Sequence, residues 1–144
     1  GVRSVKIPGV PDSPAAAIER VNALRQLLRP GVTIGISGDA YAGLGLNAGC
    51  EVWYSVCGGL FPEKAKQITE AAAANDRQRV TALTTRLEPL WSLFRKHRGS
   101  IRVIAAAAGV LGLTDMDCLP RPLQPLSAGD IADIAHVIST LELK

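Results

Sequence analysis

Aromatic residues, paired cysteines and long apolar runs are all scarce in this chain, and each shortage excludes a class of protein. Aromatic residues make up 4% of the sequence and are not interleaved with basic ones, so nucleic-acid binding is not expected. The cysteines Cys50, Cys57 and Cys118 form no C-x-x-C motif and no metal-ligand spacing with a histidine, which is typical of free thiols in a reducing cytoplasm. The longest apolar run, Val103 to Leu113, is too short to span a bilayer, and no signal peptide precedes the first predicted strand. The sequence therefore predicts a soluble, cytoplasmic protein with no nucleic-acid or membrane partner.

The composition that remains is that of one compact globular unit. Hydrophobic residues make up 47% of 144 residues, which is enough to bury a sizeable core. The formal net charge is +3, and the basic residues are scattered except for the cluster at 95–98. We expect that cluster to form the last turn of a helix, where cations interact favourably with the helix dipole.

Three short apolar segments predict the strands of a parallel sheet. They are Val2 to Lys6, Val32 to Ile36 and Val52 to Val56. Helical patterns follow them, beginning at Ser13-Pro14, at Tyr41 and at Pro62. This β-α-β-α-β-α alternation with short connections predicts parallel strands joined by right-handed crossovers, so the strand exits should share one edge. Those exits lie after Lys6, at Gly38-Asp39 and at Gly58-Gly59.

From Asp76 onward the pattern is wholly helical. We expect one long helix that is kinked at Pro89 and ended by Gly99, a small-residue helix from Ser100 to about Leu111, and a last helix capped by Ser127. The predicted division is therefore a barrel-like segment, 1–75, and a carboxyl-terminal helical region, 76–144. Three parallel strands make a poor independent sheet, so we expect this chain to be the second half of a longer α/β protein.

Lys6 is the first candidate for chemistry. It lies at the carboxyl end of the first predicted strand, and in barrels and open α/β sheets active sites form at that edge. A lysine near a strand end is more often a solvated surface charge, so position alone does not decide the matter.

Five segments, taken in order, resemble the dihydrodipicolinate synthase and N-acetylneuraminate lyase family of pyruvate-dependent class I aldolases. Val5-Lys6 resembles its G-[IV]-K segment, Ser37-Gly38-Asp39 its S-G-D, and Gly49 to Pro62 its G-A-x-G-x-I-S-x-x-x-N-x-x-P. Asn75 to Leu90 is similar to its G-D…L-x-P-L stretch, and Leu119 to Ser127 to its R-x-P-L-x-P-[LI]-[ST] stretch. The resemblance implies an α/β fold, namely the carboxyl-terminal part of a (β/α)8 TIM barrel with about three parallel strands, followed by about three helices.

The resemblance also implies a site and a chemistry. Lys6 corresponds to the lysine that forms a Schiff base with pyruvate or a related 2-oxo acid, and Gly38 and Tyr54 are expected to line the substrate pocket. No cofactor or metal ion is implied, and the family suggests a homo-oligomer, a tetramer. An amine of ordinary pKa is mostly charged at neutral pH, so a nucleophilic lysine needs apolar surroundings, which we expect Val5, Ile7 and Val32 to supply.

Several positions depart from the family pattern. Ile7 replaces the acidic residue after the lysine, and Ala40 and Tyr41 stand where sialic-acid lyases carry acidic residues that grip a polyol chain. The tyrosine proton relay and the carboxylate-binding arginine belong to the first half of the barrel, so the isolated chain is expected to be inactive.

The open alternatives are a non-catalytic binding or regulatory relative, or an unrelated helical interaction domain. Gly38 and Tyr54 also have purely structural interpretations, Gly38 as a turn glycine and Tyr54 as a packing residue.

Overall fold

The computed structural model describes residues 1–144. The strands are β1 (Ser4–Ile7), β2 (Thr33–Ile36) and β3 (Val52–Trp53). The helices are α1 (Pro14–Leu27), α2 (Ala42–Asn47), α3 (Cys57–Leu60), α4 (Pro62–Ala73), α5 (Arg77–Arg86), α6 (Glu88–Lys96), α7 (Ile101–Val110) and α8 (Ala128–Thr140), and a 3-10 turn covers Asp39–Tyr41. None of these helices combines the length and the apolar character needed to cross a membrane.

The chain forms two compact units. The first contains Gly1–Ser55 and Ala65–Thr85, and the second contains Val56–Lys64 and Arg86–Lys144. The sequence predicts a division after residue 75, between the barrel-like segment 1–75 and the helical region 76–144, and that division stays a prediction.

The sheet of the first unit is parallel, as predicted. Its strand order is β1-β2-β3, and in register Lys6 lies opposite Gly35, which in turn lies opposite Val52. Because side chains alternate along a strand, each face of the sheet carries every second residue. One face carries Ser4, Lys6, Thr33, Gly35 and Val52, and the other carries Val5, Ile7, Ile34, Ile36 and Trp53.

The apolar face of the sheet packs against helices. Ile34 and Ile36 are fully buried in a cluster with Ala17 and Val21 of α1. α1 begins as predicted, since the Ser13 hydroxyl accepts a hydrogen bond from the backbone N–H of Ala16 at 3.2 Å and Pro14 occupies its first turn. The opposite face of the sheet therefore remains open within this unit.

Two expectations about the elements are wrong. β3 ends at Trp53 instead of Val56, and the predicted glycine exit at Gly58-Gly59 is part of the short helix α3. The expected long helix from 76 to 99 is two helices, α5 and α6, which are separated at Leu87. Pro89 lies in the first turn of α6, where its missing N–H leaves no hydrogen bond unmade, so it starts a helix instead of kinking one.

The second unit is helical. The Ser127 hydroxyl caps α8 by accepting a hydrogen bond from the Asp130 N–H at 3.2 Å, as the capping-box pattern predicted. The buried side chains of this unit include Trp91 and Phe94 of α6, whose ring centroids are 5.6 Å apart, and Val103 of α7 and Ile134 of α8.

Candidate active site at the carboxyl edge of the sheet

Lys6 lies one residue before the carboxyl end of β1, on the open face of the sheet. Its side chain is exposed and belongs to none of the ion pairs of the chain. Val5 and Ile7 pack against the core on the opposite face, so the expectation that they cover the lysine is wrong. The reason is strand alternation, which separates neighbours in sequence onto opposite faces.

The side chain of Tyr54 crosses the same face. Its ring lies over Gly35, because a β-carbon at position 35 would overlap the ring and lie 2.7 Å from Cδ2. Its hydroxyl donates a hydrogen bond of 2.6 Å to the Ser4 hydroxyl, which itself donates to the Thr33 carbonyl at 3.4 Å. The tyrosine thus runs from β3 across β2 to β1, and it stays 39% exposed.

Sequence reasoning missed Ser4 and Gly35 as members of this site. A glycine inside a buried strand is a known sign of close approach by another group, and Ser4 is two residues from Lys6 on one strand. These two signals could have found the pair, although the partner that approaches Gly35 could not have been named.

Gly38 lies just beyond β2 and brings two loops together. A β-carbon at this position would overlap the carbonyl oxygen of Pro8 and would lie 3.0 Å from Cδ2 of Tyr41. Its φ of −76° is open to any residue, so the dihedral freedom suggested by the sequence is not the reason for the glycine. The glycine is needed because the loop after Lys6 passes directly against it.

Asp39 joins the exits of β2 and β3. It is 6% exposed, and its Oδ1 accepts a hydrogen bond of 2.9 Å from the indole N–H of Trp53. The aspartate of the S-G-D segment therefore has a structural partner on the face opposite Tyr54. This bond ties the loop that follows β2 to the last residue of β3.

The amino edge of the sheet has a different character. The Glu51 carboxylate accepts hydrogen bonds from the Ile34 N–H at 2.7 Å and from Arg25 at 2.5 Å. Burial alone would raise the pKa of Glu51, but these hydrogen bonds outweigh it and the pKa is lowered. Burial, followed by the negative charge of Glu51, raises the pKa of the neighbouring Cys50 to about 11, so this thiol is protonated at neutral pH and is not a nucleophile.

Comparison with known proteins gives a consistent result. The model of the dihydrodipicolinate synthetase family matches residues 6–141. Among solved structures, dihydrodipicolinate synthase from Agrobacterium tumefaciens is 37% identical with a TM-score of 0.87, and the alignment covers 96% of this chain and 46% of that one. No curated protein matches.

Two more distant structures show the fold. Dihydrodipicolinate synthase from Aquifex aeolicus is 17% identical with a TM-score of 0.78, over 96% of this chain and 45% of that one. The 4-hydroxy-tetrahydrodipicolinate synthase from Methylacidiphilum fumariolicum SolV is 23% identical with a TM-score of 0.78, over 96% and 44%. The chain thus spans just under half the length of these relatives, and the predicted fold class, part of a (β/α)8 barrel followed by helices, is confirmed. The chain belongs to the dihydrodipicolinate synthetase family.

Proposed function

We propose that the full-length protein containing this chain is a class I lyase or aldolase in which Lys6 forms a Schiff base with pyruvate or another short 2-oxo acid. The observation that carries this proposal is the placement of Lys6. It is an exposed lysine without an ion-pair partner, at the carboxyl edge of a parallel sheet, on the face not packed against helices. The family match also begins at this residue.

The chemistry follows from a nucleophilic amine. The uncharged nitrogen of Lys6 adds to the keto carbon of the 2-oxo acid, and the carbinolamine loses water to give an iminium. The iminium draws electrons from the adjacent carbon, which gives up a proton to a base and becomes an enamine. The enamine carbon then attacks an aldehyde, or the same steps in reverse release one. Gly38 and Tyr54 are proposed to line the pocket for the 2-oxo acid.

The partners of this reaction are small molecules. We propose a cytoplasmic homo-oligomer, a tetramer by resemblance to the family, that uses no cofactor. Activity belongs to the complete barrel in this proposal, because the proton relay lies outside these residues.

We predict a preference for short 2-oxo acids with a compact or aromatic partner over N-acetylneuraminate. Ala40 and the 37% exposed ring of Tyr41 offer no carboxylate to hydrogen-bond a polyol. The loop after Lys6 also lies against Gly38 and Tyr41, which narrows the opening at the carboxyl edge of the sheet. Steady-state cleavage assays on the full-length protein check this, and faster cleavage of N-acetylneuraminate than of every short aldol tested would contradict it.

The matched variants for the lysine are Lys6→Arg and Lys66→Arg. Both keep the charge, but arginine does not form the Schiff base, and Lys66 lies exposed on α4 in an ion pair with Glu70. We expect Lys6→Arg to abolish turnover and Lys66→Arg to retain it. Equal activity of the two variants would favour a non-catalytic role for Lys6.

A further inference from the structure

We propose that Tyr54, tied to Ser4, is a positioning residue that directs the amine of Lys6 toward the carboxyl edge of the sheet. The inference rests on the proposed function, since it assigns a role to groups around the Schiff-base lysine. It goes beyond lining the pocket, because here the hydroxyl of Tyr54, bound to Ser4, acts through the lysine.

The ring of Tyr54 occupies the space beside Lys6. Lys6 and Gly35 are register partners on adjacent parallel strands, which lie about 4.8 Å apart. Any side chain on residue 35 would be the neighbour of Lys6 on this face. Because residue 35 is glycine, the ring of Tyr54 takes that place instead, and a β-carbon there would overlap it.

The ring is held at both ends. The backbone N–H of Tyr54 donates to the Ile36 carbonyl at 2.9 Å, and the phenol donates to the Ser4 hydroxyl at 2.6 Å. Ser4 precedes Lys6 by two residues on the same face of β1, so the far end of the tyrosine lies on the amino-terminal side of the lysine. The two hydrogen bonds therefore fix a ring that lies over Gly35, the register partner of Lys6, and that ends at Ser4, two residues before Lys6.

This arrangement restricts the lysine side chain. The ring over β2 and its hydroxyl at Ser4 oppose rotamers of Lys6 that lie across β2 or turn back toward the amino edge. In the proposal this favours the rotamers that point to the carboxyl edge, where Gly38 and the loop exits lie. A reacting group held in its productive direction avoids part of the entropic cost of the addition step.

The test measures reductive trapping of pyruvate on Lys6 in the full-length protein. Ser4→Ala and Tyr54→Phe each remove the hydroxyl hydrogen bond and keep the ring volume. We expect each to lower the maximal trapping rate about fivefold, with the half-saturating pyruvate concentration and the melting temperature little changed. The double variant should be no slower than either single variant, because both remove the same bond.

Further variants separate positioning from folding. Ser4→Thr keeps a hydroxyl and should restore the rate, while Gly35→Ala should displace the ring and slow trapping at least as much as Tyr54→Phe. Ser139→Ala, at an exposed position of α8, is the control and should trap at the wild-type rate.

The outcomes distinguish this inference from the function on which it rests. Absence of any adduct in the wild type overturns both. Normal trapping by the wild type with wild-type rates in Ser4→Ala and Tyr54→Phe overturns the positioning role alone. The positioning role is also overturned if the loss of trapping rate in the double variant equals the product of the two single losses, since the two hydroxyls would then act independently.

Discussion

Individual residues near Lys6 were only partly predictable from the sequence. Lys6 and Gly38 were candidates because they match motif residues, and Tyr54 because it occupies the isoleucine position of the third-strand motif. Their roles stay predictions. Ser4 and Gly35 were missed because their importance depends on cross-strand register, and a one-residue change of register would place them on the other face. Dihedral freedom was the alternative interpretation of Gly38, whereas the structure shows a close approach of the Pro8 carbonyl.

Gly38→Ala should destabilise the protein. The added methyl group would meet a backbone carbonyl, which cannot move aside as a flexible side chain can, so we expect a loss of about 1–3 kcal/mol in the free energy of unfolding. Gly129→Ala in α8 is the matched control, since its β-carbon would have only the Ser127 hydroxyl oxygen nearby, at 3.9 Å. Urea unfolding of both variants measures the difference. Equal stability of Gly38→Ala and the wild type would refute the steric account.

At the scale of elements, order and type were largely predictable but boundaries were not. The parallel strands and the caps of α1 and α8 follow from local patterns. The helix α3 was missed because paired glycines usually mark a turn, although here the Phe61 N–H closes a helical turn on the Cys57 carbonyl at 2.8 Å. The break between α5 and α6 was missed because the apolar stripe continues across it.

Charged groups join α6 to the first two turns of α8. Lys96 Nζ lies 2.8 Å from Asp130 and 2.9 Å from Asp133, and Asp130 also accepts from the Ser127 hydroxyl at 2.6 Å. The hydrogen bond from Lys96, followed by that from Ser127, lowers the pKa of Asp130 from 3.8 to about 2. The stability that Asp130 contributes is therefore fully present above its ordinary pKa and is lost as the pH falls through about 2.

Asp130→Asn should reduce the loss of stability on acidification. The asparagine does not titrate, so we expect a smaller fall in melting temperature between about pH 4 and pH 2 than in the wild type, and a lower melting temperature at pH 7. Asp115→Asn makes the same change of charge at an exposed position outside the ion pairs and serves as the control. An equal fall in melting temperature on acidification for Asp130→Asn and the wild type would contradict the contribution of Asp130 to acid sensitivity.

At the scale of the whole molecule, the sequence predicted both the fold class and a chain that matches part of a larger barrel. The alignment covers 46% of the Agrobacterium tumefaciens relative, so just over half of that protein has no counterpart in residues 1–144. Lys6 and Tyr54 both lie exposed on the open face of the sheet. In the proposed complete barrel, the surroundings of Lys6 and Tyr54 would include residues outside 1–144, so patterns within this sequence could not predict them.

Residues 1–144 expressed alone should show little or no aldolase turnover. Positioning and proton transfer each contribute orders of magnitude to such reactions, and the groups that relay the proton in the proposal lie outside these residues. Aldol cleavage by the isolated chain and by the full-length protein, compared at equal concentration, measures this. Equal turnover would show that residues 1–144 are sufficient for catalysis.

The most direct test of the central claim is borohydride reduction of the full-length protein in the presence of pyruvate, followed by peptide mass spectrometry. Reduction converts a Schiff base into a stable carboxyethyl-lysine, which locates the reacting amine. The account predicts this adduct at Lys6, none at Lys66, and no adduct in Lys6→Arg. An adduct on another lysine, or none at all under conditions that label a known class I aldolase, would contradict it.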